Sequence, residues 1–508
     1  MSTNQFHKLP KGLESYWRTS TTLSSFPTLK EDKRADVCVV GGGITGITTA
    51  YQLVQEGLKV ILIDADQILN GTTGHTTAKV TAQHGLIYDE MMQHFGQEKA
   101  KLFYQANQDA LHYIKDMVVK KRIDCDYHEQ DAIIYSQSED DDLKVLKEYE
   151  AYETLGINGE LVYDIPLSLP VKSVAVMKNQ AQFHPLQYLQ ALVDEMVQNG
   201  TEIYEHTVAT DVEESQGLSV VTKNGSKVSC DYIVAASHFP FYDGQGFFFT
   251  RMYAERSYIL AVKTEKTPPE GMYYSAGQPT RSLRYVTING EKVALIGGEG
   301  HKTGQGKDTL KHYEALRTFG DEVLGVKEIL YRWSAQDLYT LDKIPYIGRI
   351  NSGHPNIFIA TGFRKWGMTS GTAAALLIQD IIMKRENKYE QLFSPSRFVA
   401  DPSLKKFIST NMDVASHLIN GKFEHPTKTP DELGMDEGGV VNLNGRRAGA
   451  YKDENGELFC VDTTCTHLGC EVEWNHGDRS WDCPCHGSRF SIHGDVLEGP
   501  ADKPLEKL

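Results

Sequence analysis

The sequence predicts a mixed α/β protein in which a doubly wound α/β domain is interrupted by an inserted α+β domain and followed by a small all-β domain. Three observations lead to this prediction. A glycine-rich turn near the start of the chain lies between a short apolar run and a helical segment. The middle of the chain contains short alternating strands, as in an antiparallel sheet with one wetted face. The last fifth has frequent turns and holds five of the eight cysteines.

Length, composition and charge set the broad class of the protein. A chain of 508 residues should hold two or three domains and can bury large cores without disulfides. Its apolar runs, such as 373–378, are too short to span a bilayer, and residues 1–18 lack the apolar core of a signal peptide. We therefore expect a cytoplasmic protein without a membrane span. The net charge of −16 argues against nucleic acid and anionic membranes as partners.

The glycine-rich turn has the spacing of a dinucleotide-binding motif. Val37–Val40 is typical of a strand buried on both faces, and Ile44–Glu56 of the helix that follows it. The second strand, Lys59–Ile63, ends at Asp64, where a carboxylate can bind an adenosine ribose. Three glycines allow the tight turn, the approach of a pyrophosphate and close helix packing, and they are Gly41, Gly43 and Gly46. This context favours a Rossmann-like domain over an ordinary glycine-rich turn.

A loop rich in threonine and glycine follows, from Gly71 to Lys79. Its small residues would let the backbone pass close to a flat ring, and the hydroxyls of Thr76 and Thr77 could donate hydrogen bonds to that ring. A plain turn is an equally good interpretation of this composition.

Composition and periodicity divide the chain into five regions, and the nucleotide-binding domain is assembled from separated segments. Residues 394–430 contain four prolines and are interpreted as a linker with a short helix at Leu404–Phe407. The other expected regions are an extended N-terminal arm at 1–34, the nucleotide-binding domain at 35–90, 171–240 and 330–393, the inserted substrate domain at 91–170 and 241–329, and the all-β domain at 431–508.

The all-β domain carries the most specific motif in the sequence. Cys465-x-His467 is separated by fifteen residues from Cys483-x-x-His486. Two sulfurs and two nitrogens could hold zinc, but zinc does not call for the two further cysteines, the glycine or the proline in these loops. The motif resembles a Rieske centre, in which two thiolates hold one iron and two imidazoles hold the other. The resemblance covers about residues 430–508 and implies that these four residues ligate a [2Fe–2S] cluster.

The Rieske resemblance implies further roles in the same domain. Cys470 and Cys485 match the cysteines that join the two cluster loops by a disulfide, and Ser488 matches a serine that hydrogen-bonds a bridging sulfide. Phe490 stands where the family has a tyrosine, and the loss of that phenol donor implies a lower reduction potential than in respiratory relatives. Gly499–Pro500 matches the loop that covers the cluster.

FAD, NAD or both could occupy the nucleotide-binding domain. A pyridine-nucleotide reductase would show two Gly-x-Gly-x-x-Gly units, and this sequence has one, near its start. The glycines between residues 297 and 306 have the wrong spacing for a second unit. FAD alone is therefore favoured.

The first 400 residues resemble the family of glycine and D-amino-acid oxidases and dehydrogenases, which are FAD enzymes. The matching pieces are the dinucleotide turn with its acidic partner, the small-residue loop, and the segments Asp337–Gly348 and Ala360–Thr369. In that family the two segments bring the chain back beneath the flavin. A fused Rieske domain is similar to a bacterial subgroup of the family. The resemblance implies cofactor contacts from Gly362, Trp366, Gly367 and Met368.

The family transfers a hydride from a C–H bond next to an amine to flavin, and the protein orients the substrate against the ring. Lys365, and after it Arg364, fall where family members often carry a carboxylate-binding arginine. Arginine would give a bidentate grip, whereas lysine acts as a point charge, and a solvated surface lysine is the alternative interpretation. The weaker candidates, each better explained by a structural role, are His75, Lys79, His184, Arg281 and Arg284.

The leading hypothesis is an FAD-dependent dehydrogenase that oxidises a small amine or amino acid and passes electrons singly to its own cluster and an unidentified external acceptor. Flavin takes up two electrons and releases them one at a time, whereas the cluster accepts one, so the fusion makes chemical sense. One alternative is the reverse flow, in which the cluster supplies electrons to flavin for a reduction. Another is a redox-sensing protein whose cluster changes the binding of a partner.

Overall fold

The computed structural model describes residues 9–215, 217–306, 308–397, 400–423 and 426–508. The first eight residues of the predicted arm and four residues of the predicted linker lie outside the described residues. Within these ranges, every helix is too short or too polar to cross a membrane.

The described part of the N-terminal arm lies against the body of the protein. It contains the short helix α1 (Tyr16–Thr19) and ends in strand β1 (Lys33–Arg34). Trp17 and Leu29 are almost completely buried, and the Trp17 indole donates a hydrogen bond to the Thr76 carbonyl at 2.7 Å. The arm therefore braces the loop that follows the dinucleotide turn.

The described residues form a six-stranded central sheet in the nucleotide-binding part. Its strands, in chain order, are β2 (Val37–Val40), β3 (Val60–Ile63), β8 (Glu202–Tyr204), β12 (Tyr232–Ala235), β18 (Tyr346–Arg349) and β19 (Ile357–Thr361). The spatial order is β18-β19-β12-β2-β3-β8, and only the β18–β19 pair is antiparallel. This is the doubly wound arrangement that the apolar runs predict.

Both faces of this sheet are covered, which explains why its strands are continuous apolar runs. Val37 and Val39 face the core that holds helices α2 (Ile44–Gln55), α6 (Pro185–Gln198) and α8 (Gly367–Ile382). Cys38 and Val40 face a second core on the other side. That side is covered by a small sheet of β1, β9 (Ala209–Glu213), β10 (Leu218–Thr222) and β11 (Lys227–Cys230).

A larger sheet of nine described strands makes up the inserted part. The added strands are β4 (Lys79–Val80), β5 (His128–Tyr135), β6 (Gly159–Val162), β7 (Val174–Gln182), β13 (Met252–Thr264), β14 (Met272–Ser275), β15 (Arg281–Ile288), β16 (Glu291–Lys302) and β17 (Val326–Thr340). Their order is β17-β13-β16-β15-β14-β5-β7-β4, with β6 also paired to β7, and only β14–β5 is parallel. The helices of this part are α3 (Tyr88–Phe95), α4 (Gln97–Lys121), α5 (Glu139–Leu155) and α7 (Leu310–Leu324).

The limits of the nine-stranded sheet differ from the domain boundaries drawn from the sequence. Strands β4, β7 and β17 all belong to this sheet. The boundaries predicted from the sequence place β4, β7 and most of β17 in the nucleotide-binding domain instead. β17 pairs with β13 along its whole length, so a boundary at residue 330 would cut a continuous ladder. Local sequence cannot show this, because the register depends on a partner strand far along the chain.

The C-terminal part begins with helices α9 (Glu390–Phe393) and α10 (Ala400–Phe423). The sequence predicts only a short helix at Leu404–Phe407 in the linker; the observed helix has 24 residues because Val414 and Leu418 pack against the core of the all-β domain. That domain has a three-stranded and a four-stranded sheet in the described residues. Its strands are β20 (Glu437–Leu443), β21 (Arg446–Lys452), β22 (Leu458–Val461), β23 (Glu473–Asn475), β24 (Ser480–Asp482), β25 (Arg489–Phe490) and β26 (Val496–Glu498).

A buried charge network joins the all-β domain to the nine-stranded sheet. The Arg256 side chain, on β13, is completely buried and donates to Glu498 at 2.9 Å and to Asp478 at 3.4 Å. Arg489, on β25, contacts the same two acids at 3.0 and 3.2 Å, and Asp482 at 3.0 Å. Burial alone would raise the pKa of Glu498, but the two guanidinium groups more than offset it and lower the pKa to about 2.

Removal of one partner from this network leaves buried charges unpaired. We expect Arg256→Met to lower the free energy of unfolding by about 3–5 kcal/mol, measured by urea denaturation. The matched control is Lys11→Met, because Lys11 also reaches the all-β domain, at Glu454, but through a pair with exposed side chains. The control should change stability by about 0–1 kcal/mol. Equal losses in the two variants would contradict the assignment.

Candidate cofactor sites

Two glycines of the dinucleotide turn, Gly41 and Gly46, lie where a side chain would clash with the backbone. Gly41 has φ +109°, and a Cβ there would lie 2.4 Å from the Ala236 carbonyl oxygen. A Cβ on Gly46 would lie 1.8 Å from the Gly41 carbonyl oxygen. Gly43 is the N-cap of α2, has extended backbone and offers no side chain of its own to that helix end. The turn therefore forms a cradle at a helix N-terminus, which suits a pyrophosphate.

Asp64 lies directly after β3, at the carboxyl edge of the central sheet. Its Oδ2 accepts a hydrogen bond from the Gly42 amide at 2.6 Å, and its Oδ1 accepts one from the Asp66 amide at 2.9 Å. Burial raises the pKa of Asp64 to about 6, although both amides favour the charged form. The carboxylate is thus tied to the turn, at the place where a ribose would meet the sheet.

The loop at 71–79 contributes through a residue that sequence reasoning did not single out. Thr72–His75 forms a short 3-10 helix, and the Thr73 hydroxyl accepts a hydrogen bond from the Ile44 amide at 3.0 Å, at the start of α2. The Thr76 hydroxyl accepts from the Ala78 amide at 2.9 Å within the loop. The Thr77 carbonyl accepts from the Arg284 side chain. The loop is therefore both a turn and part of the cradle wall.

The segment after β19 returns to the same edge of the sheet. Gly362 has φ +76°, and a Cβ there would lie 2.4 Å from a methyl carbon of Thr340. Trp366 precedes α8, whose first turn holds Gly367 and the buried Met368. Helices α2 and α8 thus begin after β2 and β19, two parallel strands on either side of β12, and their N-termini lie at the edge where doubly wound folds bind cofactors.

His84 lies beside the segment that follows β19, and no sequence motif predicts this position. Its ring stacks on Trp366, with centroids 5.2 Å apart and an interplanar angle of 7°. Its Nε2 lies 3.1 Å from the Thr369 hydroxyl. Burial, assisted by the Arg364 charge, lowers the pKa of His84 to about 3, so the imidazole is neutral at physiological pH.

The two candidate substrate-binding cations have different surroundings. The Lys365 ammonium lies close to Gly300 and near the Asp337 carboxyl. Burial raises the pKa of Asp337 to about 7, and the positive charge of Lys365 partly offsets this rise. The Arg364 guanidinium lies 5.7 Å from the centre of the Tyr339 ring. Its Nε and Nη1 are buried and make no hydrogen bond with the described residues. Arg364 therefore has unused donors, whereas Lys365 already faces an acid.

Three of the weaker candidates have structural partners. His75 contacts a backbone carbonyl of its own loop at 3.0 Å, and His184 caps α6. Arg281 pairs with Glu299 at 2.5 Å. These contacts account for the three side chains without a cofactor or substrate.

Lys79 and Arg284 lie side by side in the interior. The Lys79 ammonium donates to the Tyr273 carbonyl at 3.2 Å. Burial lowers the pKa of Lys79 to about 7, and the nearby Arg284 charge acts in the same direction. Arg284 donates to two backbone carbonyls, those of Thr77 and Tyr285. Arg284 thus holds the 71–79 loop in place.

The four candidate cluster ligands form a sulfur pair and an imidazole pair. The thiols of Cys465 and Cys483 are both buried and lie close enough to interact electrostatically. The rings of His467 and His486 lie edge to face, with centroids 5.0 Å apart. Each pair takes one member from the loop after β22 and one from the loop after β24. This donor set fits a two-iron cluster with two sulfur ligands on one iron and two nitrogen ligands on the other.

The flanking residues support the same two loops. Cys470 and Cys485 form a disulfide, and both sulfurs lie within 4.8 Å of the Cys483 sulfur. The Ser488 hydroxyl accepts a hydrogen bond from the Ala501 amide at 3.0 Å, and its presence near the Cys465 thiol lowers the pKa of that thiol. Phe490 is completely buried in the core and has no donor to offer.

The two imidazole rings lie against aromatic side chains of the segment between β12 and β13. The His467 ring lies 6.2 Å from Phe239 and 6.3 Å from Phe249, and the His486 ring lies 5.7 Å from Phe249. Phe239 belongs to the loop after β12, the same loop whose Ala236 contacts the dinucleotide turn. The two candidate cofactor sites therefore share one short loop.

Comparison with known proteins agrees with this geometry. The model of a family described as FAD dependent oxidoreductase (DAO) matches residues 36–381, and that of the Rieske [2Fe-2S] domain matches residues 425–508. The chain belongs to the DAO family of FAD-dependent oxidoreductases. Its cofactors are FAD and a Rieske [2Fe–2S] cluster, which decides against the zinc and NAD alternatives. The glycine cradle and the paired donors fit these two groups.

Individual relatives of this DAO-family oxidoreductase cover one or both parts. A Bacillus subtilis (strain 168) protein named as a Rieske 2Fe-2S iron–sulfur protein, YhfW, is 54% identical over 99% of both chains. The gamma-glutamylputrescine oxidoreductase of Escherichia coli (strain K12) is 24% identical over 74% of this chain and 90% of its own. The crystal structure of glycine oxidase from Geobacillus kaustophilus has a TM-score of 0.62 at 17% identity and covers 72% of this chain and 100% of its own. The last similarity shows the shared fold.

The candidate ligands can be tested separately from the flavin. We expect Cys465→Ser to lose the visible absorbance and the EPR signal of the cluster while it keeps FAD, because a serine hydroxyl is a poor replacement for a thiolate. Cys460→Ser is the matched control: Cys460 lies in the same domain, is partly buried and is free. Metal analysis and flavin content of both variants provide the measurement. A cluster retained in the first variant would remove Cys465 from the ligand set.

Proposed function

We propose that this protein oxidises a small amine or amino acid at the C–H bond next to nitrogen and passes the electrons one at a time to its own cluster and then to an external acceptor. The observation that carries this proposal is the contact of His467 and His486 with Phe239 and Phe249. Bound FAD supplies hydride acceptance and single-electron release, and the cluster supplies one-electron storage.

The residues of the cradle would hold the dinucleotide and orient the ring. The amides at the start of α2 would face the pyrophosphate, and Asp64 would face the ribose. Amides of the first turn of α8, at Gly367 and Met368, would face the pyrimidine end, where they favour negative charge. Neutral His84 stacked on Trp366 would give this edge an uncharged wall.

Arg364 supports a substrate with a carboxylate. Its Nε and Nη1 are buried and unused, so either can donate a charge-assisted hydrogen bond to a substrate carboxylate. The sequence ranks Lys365 first; the surroundings of the two side chains favour Arg364 instead. The similarity to gamma-glutamylputrescine oxidoreductase and to glycine oxidase supports the amine and amino-acid class.

The fusion of the two domains supports dehydrogenase rather than oxidase activity, since the cluster gives electrons a route other than oxygen. We assign Cys465, His467, Cys483 and His486 as the ligands and place the protein in the cytoplasm. The buried position of Cys485, at 6% exposure, would protect its disulfide with Cys470 from cellular reductants.

The proposal is tested by anaerobic titration of the purified holoprotein with pooled amines and amino acids. Flavin bleaching followed by the EPR signal of the reduced cluster is the expected result, and division of the pool would identify the substrate. Bleaching by NADH would instead favour a reductase. If no pool member bleaches the flavin while dithionite reduces both centres, the proposed oxidation is wrong.

The role of Arg364 predicts a change in substrate affinity. With a carboxylate substrate identified by the titration, Arg364→Gln should raise KM at least tenfold and change kcat less, because a charged hydrogen bond contributes about 1.5–3 kcal/mol. Lys365→Gln is the comparison at the neighbouring position and should have the smaller effect on KM. Steady-state kinetics of both variants measure this. The opposite ranking would return the role to Lys365.

A further inference from the structure

Gln336 lies between the two cofactor sites. It contacts the loop after β24, which carries Cys483 and His486 and is called the cluster loop below. It belongs to β17 and is 2% exposed. Its Nε2 donates to the Gly487 carbonyl at 2.9 Å, and its Oε1 accepts from the Thr303 hydroxyl at 2.8 Å. Gly487 follows the candidate ligand His486. The Gln336 amide is therefore oriented by one neighbour and holds the cluster loop with its other end.

The backbone of Gln336 contacts the loop on the flavin side. Its carbonyl accepts a hydrogen bond from the Thr72 hydroxyl at 3.2 Å. Thr72 is bonded to Thr73, whose hydroxyl accepts from the Ile44 amide at the start of α2. Gln336 thus links the 71–79 loop to the cluster loop through a continuous path of hydrogen bonds and covalent bonds.

The contact depends on a glycine in the cluster loop. Gly487 has φ +82°, and a Cβ there would lie 2.5 Å from the Ala254 Cβ and 3.0 Å from the Gln336 Oε1. A larger residue would push the loop away from β13 and β17. The cluster loop therefore rests on these strands at closest packing, and Gln336 provides a polar contact at that point.

We propose that Gln336 is a positioning residue that sets the placement and potential of the cluster relative to the flavin; the electron-transfer half of this inference rests on the proposed function. With both groups bound, reduced flavin would give up one electron at a time to the cluster, and the external acceptor would take each electron from the cluster before the next one follows. Gln336 takes no part in bond formation. It acts through the loop that carries His486.

The physical reason is the support that a bound metal group needs from its neighbours. Outer hydrogen bonds orient ligands and tune the metal, and their removal typically changes affinity or activity about 10–100-fold. Without the Gln336 amide, the buried Gly487 carbonyl and Thr303 hydroxyl both lose their partner. The loop would then move to find another donor, and the gap that the electron crosses would change.

The experiment compares Gln336→Met with Gln305→Met in the holoprotein. Methionine keeps the length of glutamine and removes its hydrogen bonds. Gln305 is the matched control, because its amide serves Asp413 at 2.8 Å and reaches the cluster loop only at 3.5 Å, at the Pro484 carbonyl. Laser-flash photoreduction of the flavin measures the rate of electron transfer to the cluster without any substrate. EPR-monitored redox titration gives the cluster potential, and hydrogen exchange reports on residues 483–490.

We expect Gln336→Met to slow flavin-to-cluster transfer about tenfold or more, to shift the cluster potential and to speed hydrogen exchange in 483–490. Gln305→Met should match the wild-type protein in all three. Thr72→Val, which cuts only the flavin-side contact, should slow transfer and leave the potential unchanged. It also keeps the inference testable if Gln336→Met fails to fold.

Wild-type values of rate, potential and exchange in Gln336→Met would overturn the inference. If Gln336→Met fails to fold, a wild-type transfer rate in Thr72→Val would overturn it. Failure of the proposed function would look different, because the wild-type protein itself would then show no transfer from flavin to cluster. In that case the positioning role is decided by the potential and the exchange rates alone: changes in both support it, and wild-type values reject it.

Discussion

Two buried arginines hold the cluster domain in one place on the nine-stranded sheet, and the relation between the two cofactor sites depends on them. Arg256 comes from the sheet, Arg489 from the cluster domain, and both contact Asp478 and Glu498. The Tyr313 hydroxyl donates to Asp478 at 3.2 Å from α7. Buried charges are stable only when paired, so each acid fixes the position of both arginines. A displaced cluster domain would leave several charges without partners.

This fixed position explains how one chain can join a flavin fold to an iron–sulfur fold. The cluster loops rest on β13 and β17, and their imidazoles meet Phe239 and Phe249 from the neighbouring segments. The loop after β12 touches the dinucleotide turn through Ala236 and the His467 ring through Phe239. This arrangement favours a cluster domain that stays in place during electron transfer over one that moves between partners. The reason is that the cluster domain contacts β13, β17 and the loop after β12 at the same time.

The sequence could predict the parts of the sites that depend on short spacing. The dinucleotide turn, the acid at the end of β3 and the Cys-x-His and Cys-x-x-His pairs each place their chemistry within a few residues. Thr73 and His84 carry no such pattern, and only the fold brings them to the cofactor edge. Arg364 and Lys365 are adjacent, so pattern alone cannot tell which side chain keeps free donors. The backbone decides this, because Arg364 has φ +56° and its guanidinium lies beside Tyr339.

The sequence by itself determined the fold class and, through its resemblance to two families, the cofactors; the residues that hold each cofactor remain predictions from local patterns of glycine, cysteine and histidine. The tertiary structure alone decided how the two sites meet. Arg256 and Glu498 are 242 residues apart along the chain, and Gln336 and Gly487 are 151 apart. Pairings at such separations arise from the packing of β13 and β17 against the cluster domain, because burial selects partners by shape and charge rather than by sequence distance.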